Sequence, residues 1–249
     1  GTADVVSENE ILDIMVVYTQ NAETHLGSAE AVNLYIKHAF GEGNDILDRS
    51  RISMRIRAIN VVKMRNVGYD DPNNLITTLD QATYYGGSYS EFDYEQAQRY
   101  TVQADALVII TRPIRPSLCG IAWLNSAALT AFKMVSVVDL TCLVGYYAFM
   151  HELGHNLGAA HDRSVARLNE GAYSYSHGWC WDVDAATSCD NTCRRSLMSY
   201  SSCSSSRQSC TYCKPYPYFS NPDVVESGAA TGRSDRNNAR TINNMKSSA

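Results

Sequence analysis

Residues 151–162 read His151-Glu152-Leu153-Gly154-His155-Asn156-Leu157-Gly158-Ala159-Ala160-His161-Asp162. On a helix, side chains four positions apart leave the same face about one turn apart, so the His151 and His155 imidazoles can share one metal ion. Zn²⁺ takes imidazole nitrogen at about 2.0–2.1 Å, and a catalytic site keeps a fourth position for water beside three protein ligands. Gly158 is of the residue type that enters a left-handed backbone freely, so it can end the helix and swing His161 back as the third ligand. Glu152, beside the first ligand, is placed to act as general base toward a zinc-bound water. Two histidines at this spacing are often plain core or surface side chains. Here Glu, Gly and a third His stand at fixed offsets, and three of the six histidines fall in this one segment. That combination argues for a catalytic zinc centre, with His151, His155 and His161 as ligands.

The rest of the chain must carry this centre. Its 249 residues suffice for one full core, with room for two lobes around a cleft. The composition, 45% hydrophobic and 19% charged, is that of an ordinary globular protein. A net charge of −5 argues against nucleic acid as the main partner. No apolar run reaches the length of a membrane span. The chain opens Gly1-Thr2-Ala3-Asp4-Val5, without an initiating Met or a signal peptide, and reads as a mature or recombinant form whose targeting and pro-segments are absent.

The eight cysteines all lie after residue 118. Their even count fits disulfides and an oxidising, extracellular compartment. The alternative is a second zinc site, because Cys210-x-x-Cys213 and Cys189-x-x-x-Cys193 have ligand-like spacing.

Ile11–Tyr18 is a short apolar run, expected to be a buried strand. Ser28 is placed to cap a helix carrying Val32, Ile36, Ala39, Phe40, Ile46 and Leu47, although Gly41 and Gly43 weaken it as one continuous helix. A half-buried strand is expected over 52–62, and a turn or helix start at 69–74 leads into a short helix to about Thr83. A Gly/Ser/Tyr loop over 84–90 and a helix over 91–102 follow. Strands are expected at 105–110, 120–125 and 134–140, and a helix from about Leu143 to Asn156 or Leu157 bears the zinc motif. The Cys- and Ser-rich stretch beyond it can bury little apolar surface, so cross-links are expected to hold its shape. A last helix is expected over 232–247, with Ala239, Ile242 and Met245 at helical spacing.

The extended motif resembles that of the metzincin clan of zinc endopeptidases. Ser196-Leu197-Met198-Ser199-Tyr200 resembles the clan's Met-turn, in which Met198 would lie under the three histidines. Asp162 directly after the third His is the reprolysin (adamalysin) variant. Phe219-Ser220-Asn221-Pro222-Asp223 and Asn237-Asn238-Ala239-Arg240 are most similar to bacterial reprolysin-like proteases, including the peptidyl-Asp metallopeptidases. Tyr200 stands instead where astacins and serralysins carry a Tyr able to ligate the metal.

The resemblance implies an α+β zincin fold. A twisted, mostly parallel five-stranded sheet with helices would stand over a smaller irregular subdomain, with the cleft between them. It implies a single catalytic domain, 1–160 holding the sheet and zinc helix and 161–249 the Met-turn, disulfides and final helix. Residues 120–123, Gly120, Ile121, Ala122 and Trp123, would form the edge strand to which an extended peptide adds by main-chain hydrogen bonds; otherwise they form a plain core strand. Tyr200 would donate a hydrogen bond to the oxyanion, or else serve as a buried structural Tyr. Asp162 would anchor the chain leaving the ligand helix. His177 is expected to be a loop residue rather than a ligand. Arg194, Arg195 and Arg207 offer partners to acidic side chains near the cut. Cys119 and Cys142 flank two expected strands and are candidates to pair.

The function expected is a secreted, monomeric zinc endopeptidase acting on protein or peptide substrates, with one Zn²⁺ as cofactor. Ca²⁺ has only Asp70-Asp71 and Asp182-x-Asp184 to suggest it, too thin a basis. The rivals are a non-catalytic zinc module used for binding or adhesion, which has no need of Glu152, and a zinc amidase acting on a non-peptide linkage.

Overall fold

The computed structural model describes residues 11–69, 74–84, 91–114, 118–125, 131–166, 170–182, 193–200 and 212–245. At its centre is a five-stranded sheet in the order β2-β1-β3-β5-β4. Strands β1 (Ile11–Tyr18), β2 (Arg55–Lys63), β3 (Ala106–Thr111) and β5 (Val135–Asp139) run parallel. Strand β4 (Gly120–Ala122) is antiparallel to β5 and forms one edge.

The apolar run of β1 is buried because β2 and β3 flank it and helices cover both faces. Side-chain alternation divides it between two cores. Ile14, Val16 and Tyr18 pack with α2 (Ala29–Arg49) and α5 (Ala148–Asn156), whereas Met15 and Val17 pack with α3 (Leu75–Thr83) and Phe92. Phe92 heads α4 (Asp93–Thr101). The expected mostly parallel, five-stranded α+β architecture is therefore what the chain forms.

Most elements lie where periodicity puts them. Ser28 caps α2, its Oγ accepting from the Ala31 amide, and Asn74 caps α3 in the same manner. Four local features differ from the sequence reading or go beyond it. Helix α1 (Gln20–Leu26), capped by Thr19, has too few apolar positions to announce itself. Helix α2 continues through Gly41 and Gly43. A Cβ at Gly43 would come 2.7 Å from both Ile56 Cδ1 and Met150 Sδ, so a larger residue there would have to displace those side chains. The zinc-motif helix begins at Ala148 rather than near Leu143, because Gly145 and Tyr147 take left-handed backbone, with φ of 80° and 59°. The last helix, α6, spans Asn238–Met245 and so starts after 232. Residues 232–237 are spent on a tight passage, where Arg233 and Arg236 exchange backbone hydrogen bonds. Ala239, Ile242 and Met245 do face the core.

Beyond α5 lies a small sheet of β6 (Cys180–Asp182), β7 (Cys193–Arg195) and β8 (Lys214–Pro215). Disulfides join Cys119 to Cys142 and Cys193 to Cys213, and Cys180 is also disulfide-bonded. Cys193 and Cys213 are thus cross-linked rather than available to a second zinc ion. Cys189, Cys203, Cys210, Arg207, Asp70, Asp71 and Asp184 lie outside the described residues, as does most of the 84–90 loop. Among the described residues, no helix is long and apolar enough to cross a membrane.

Candidate metal centre and cleft

His151 and His155 project from one face of α5. The helix then ends at Gly158, whose φ is +83°. A side chain would resist this conformation, and a Cβ there would also meet Ala172 Cβ at 2.7 Å. The turn is closed by Gly158 N donating to His155 O and Ala159 N to Gly154 O, each at 2.9 Å. It returns the chain so that His161 Nε2 lies 3.1 Å from His151 Nε2 and 3.0 Å from His155 Nε2.

Hydrogen bonding decides the tautomers. His151 Nδ1 lies 2.7 Å from the Leu197 carbonyl and His155 Nδ1 lies 2.9 Å from the Ala159 carbonyl. A carbonyl only accepts, so both Nδ1 atoms carry the proton and both Nε2 lone pairs face inward. Burial first, and then the neighbouring imidazole, pushes His151 down to about 4. Burial pushes His155 and His161 below the usual histidine range as well. Three neutral imidazoles thus converge, their ligand atoms all within 4.8 Å of one another. Tetrahedral Zn²⁺ with bonds of about 2.0–2.1 Å needs nitrogens about 3.3 Å apart. The donor set and its spacing therefore fit such an ion.

Four side chains support this triad. Met198 is fully buried, and a Cβ at Gly154 would lie 2.8 Å from its Sδ, so the thioether packs directly under the ligand helix. Asp162, itself buried, accepts from the Ser164 amide at 3.0 Å through Oδ1 and from the Tyr200 amide at 2.9 Å through Oδ2. It thereby clamps the third-ligand loop to the segment following Met198. His177 is a buried brace rather than an ordinary loop side chain. Its Nδ1–H donates to the His161 carbonyl at 3.0 Å, and its own carbonyl accepts from Ser220 Oγ at 2.7 Å. Asn238 Nδ2 donates to the Ala160 carbonyl at 3.2 Å. The two C-terminal stretches that carry the family resemblance therefore underpin the His161 loop.

Asn156 was not singled out from the sequence, yet it ties the end of α5 to the sheet. Its Nδ2 lies 3.0 Å from the Trp123 carbonyl and 3.1 Å from those of Lys133 and Val135. An Asn directly after the second ligand, in an otherwise apolar helix end, was the only available signal.

Above the triad opens a cleft of about 330 Å³. Leu118, Gly120, Ile121, Ala122 and Leu124 line one wall, along the sheet edge. Trp123 points elsewhere: its indole N–H donates to Thr83 Oγ1 at 2.8 Å, against α3. Glu152 lines the floor, only 6% exposed, and burial pushes its carboxyl up to about 8. Tyr200 lines the far side with its ring centroid 4.7 Å from that of His161. Glu170 completes that side.

No Arg or Lys among the described residues lines the cleft. Arg194 is engaged by Glu226 at 3.0 Å. Arg195 donates to the Ser199 and Cys213 carbonyls. Neither is available to an acidic substrate side chain.

Residues 8–212 match the model of Metallo-peptidase family M12 (Reprolysin_5). The chain is 28% identical over 235 residues to "Peptidyl-Asp metalloendopeptidase" of Stenotrophomonas maltophilia (strain K279a), covering 94% of this chain and 50% of that protein. The protein of the same name from Xanthomonas campestris pv. campestris is 27% identical, covering 94% of this chain and 49% of its own length. The chain thus spans about half the length of the curated relatives it matches. A solved structure described as "Structure of a chaperone-substrate complex" shares the fold with a TM-score of 0.65 at 16% identity, over 94% of this chain and 33% of that one.

Proposed function

This chain belongs to metallopeptidase family M12, and on that premise we propose that it is a secreted zinc-dependent endopeptidase acting on extended peptides. The observation that carries the reading is the convergence of three imidazole Nε2 atoms beside the buried Glu152 carboxyl, at the edge strand of the sheet. His151, His155 and His161 would hold the ion. A bound Zn²⁺ supplies a Lewis acid that lowers the pKa of its water to about 7 and polarises the scissile carbonyl.

The residues of this chain do the rest. β4 is the edge strand of the sheet, so its outer side is placed to receive a peptide strand and line the substrate up along the cleft. Glu152 takes a proton from the attacking water onto its carboxylate and later gives it to the leaving amine. Its burial raises its proton affinity toward neutrality, which suits both halves of that task. Tyr200, half-exposed beside His161, is placed to donate its O–H to the developing oxyanion. Met198 and Asp162 hold the ligand loops in register.

The disulfides fit an oxidising extracellular setting. A pure binding module has no use for Glu152, and an unpaired edge strand suits a polypeptide better than an isolated non-peptide amide.

The test is hydrolysis of casein and of unstructured peptides, with and without chelator, followed by zinc back-titration. Chelator-sensitive cleavage restored at one equivalent of zinc is expected. Zinc binding without turnover would move the chain to the binding-module reading.

A further inference from the structure

Glu170 stands apart from the rest of the catalytic cleft. It lines the cavity together with the ligand histidines, yet it is absent from every ion pair and side-chain hydrogen bond among the described residues. Other acidic groups in the neighbourhood are occupied. Asp162 accepts from the Tyr200 and Ser164 amides, and Glu226 pairs with Arg194. Glu152 faces the triad. Among the described residues, Glu170 is therefore a cleft carboxylate without an ion pair or side-chain hydrogen bond, its charge felt by His161 and His177, in a wall with no Arg or Lys.

Its position is set by the turn that returns the third ligand. Ala172 N donates to the Gly158 carbonyl at 2.9 Å, and a Cβ at Gly158 would lie 3.3 Å from the Asn125 carbonyl. Asn125 is one residue past Leu124, at the far end of the edge-strand wall from Gly120, against which Glu152 lies. Glu170, two residues before Ala172, lines the same cleft as Leu124, Ile121 and the histidines. A peptide laid along the wall passes Glu170 in the same cleft as His151, His155 and His161. Successive residues of an extended chain advance about 3.3 Å, so the contact falls within a few residues of the cut.

Resting on the endopeptidase reading, we propose that Glu170 is a specificity-determining residue that selects substrates carrying Lys or Arg within a few residues of the cut. An unpaired carboxylate in a partly enclosed cleft attracts a cation and disfavours an acidic side chain at the same position. Lys and Arg also bring aliphatic stems able to lie along Leu124 and Ile121 while the head reaches the carboxylate.

The experiment is positional-scanning peptide cleavage by the zinc-loaded full chain, comparing the natural protein with Glu170→Gln and Glu170→Lys. In the natural protein, Lys or Arg at one position should raise kcat/KM by about fivefold over Ala, mainly through KM, as expected for a partly exposed charge pair. Glu170→Gln should flatten that preference, read as the ratio of kcat/KM for the Lys peptide to kcat/KM for the Ala peptide. Glu170→Lys should turn it toward Asp or Glu. A natural protein without cationic preference, or a preference that survives Glu170→Gln, overturns the assignment while the endopeptidase reading stands. Absence of chelator-sensitive cleavage on every peptide overturns both.

Discussion

The side chain of Glu152 lies directly against the backbone of Gly120. A Cβ added at Gly120 would come 2.6 Å from Glu152 Cγ and 2.8 Å from Oε1. The edge strand that would receive the substrate and the carboxylate that would move its proton therefore touch, with no room for one methyl group between them.

Gly120→Ala tests this contact. The methyl must displace either the carboxylate or the strand, and a misplacement of about 1 Å near the reacting atoms can cost about 10²-fold in rate. We expect kcat/KM to fall by about that factor with zinc content and far-ultraviolet circular dichroism unchanged. Full activity in Gly120→Ala would show that Glu152 has a second workable position.

Glu152→Gln keeps the shape of the floor and removes the proton acceptor. General-base loss is worth about 10²–10⁴-fold. The variant should bind one zinc and cleave casein at a rate reduced by about that much. Wild-type turnover in a zinc-loaded Glu152→Gln would remove Glu152 from the mechanism.

Gly158→Ala attacks the ligand loop through the backbone. A left-handed non-glycine residue costs about 1–2 kcal/mol, and the Cβ would also press on Ala172 Cβ at 2.7 Å. Thermal unfolding should shift downward, and zinc affinity should fall because His161 is carried out of register. An unchanged melting temperature together with unchanged zinc affinity would contradict the role given to this turn.

Replacing Cys119 and Cys142 together by Ser opens a cross-link spanning a sequence separation of 23. Loop-closure entropy puts its worth at about 3 kcal/mol. Cys119 immediately precedes the edge strand, so KM for long peptides should rise more than KM for short ones. Equal effects on both would disconnect the disulfide from the edge strand.

The local parts of this protein could be read from residue order. Strand β1 matches its apolar run, and Ser28 and Asn74 cap the helices that begin beside them. The convergence of His151, His155 and His161 could be read for the same reason: a four-residue spacing on a helix and a glycine stop are relations between near neighbours. Helix α1 escaped notice because seven residues with one buried alanine carry little periodicity. The start of α5 was misplaced because the left-handed turn at Tyr147 leaves no mark in a run of apolar residues.

Residue order therefore determined the candidate metal ligands and base, most strands and helices of the central sheet region, and the family. Chain folding decided the rest. It placed Gly120 on Glu152, Met198 beneath Gly154 and His177 behind His161. It also turned Trp123 out of the cleft and engaged Arg194 and Arg195 elsewhere, leaving Glu170 facing the substrate space. These are contacts between distant parts of the chain, fixed by close packing and by the demand that each buried polar group find a partner. Spacing along the chain carries no record of either.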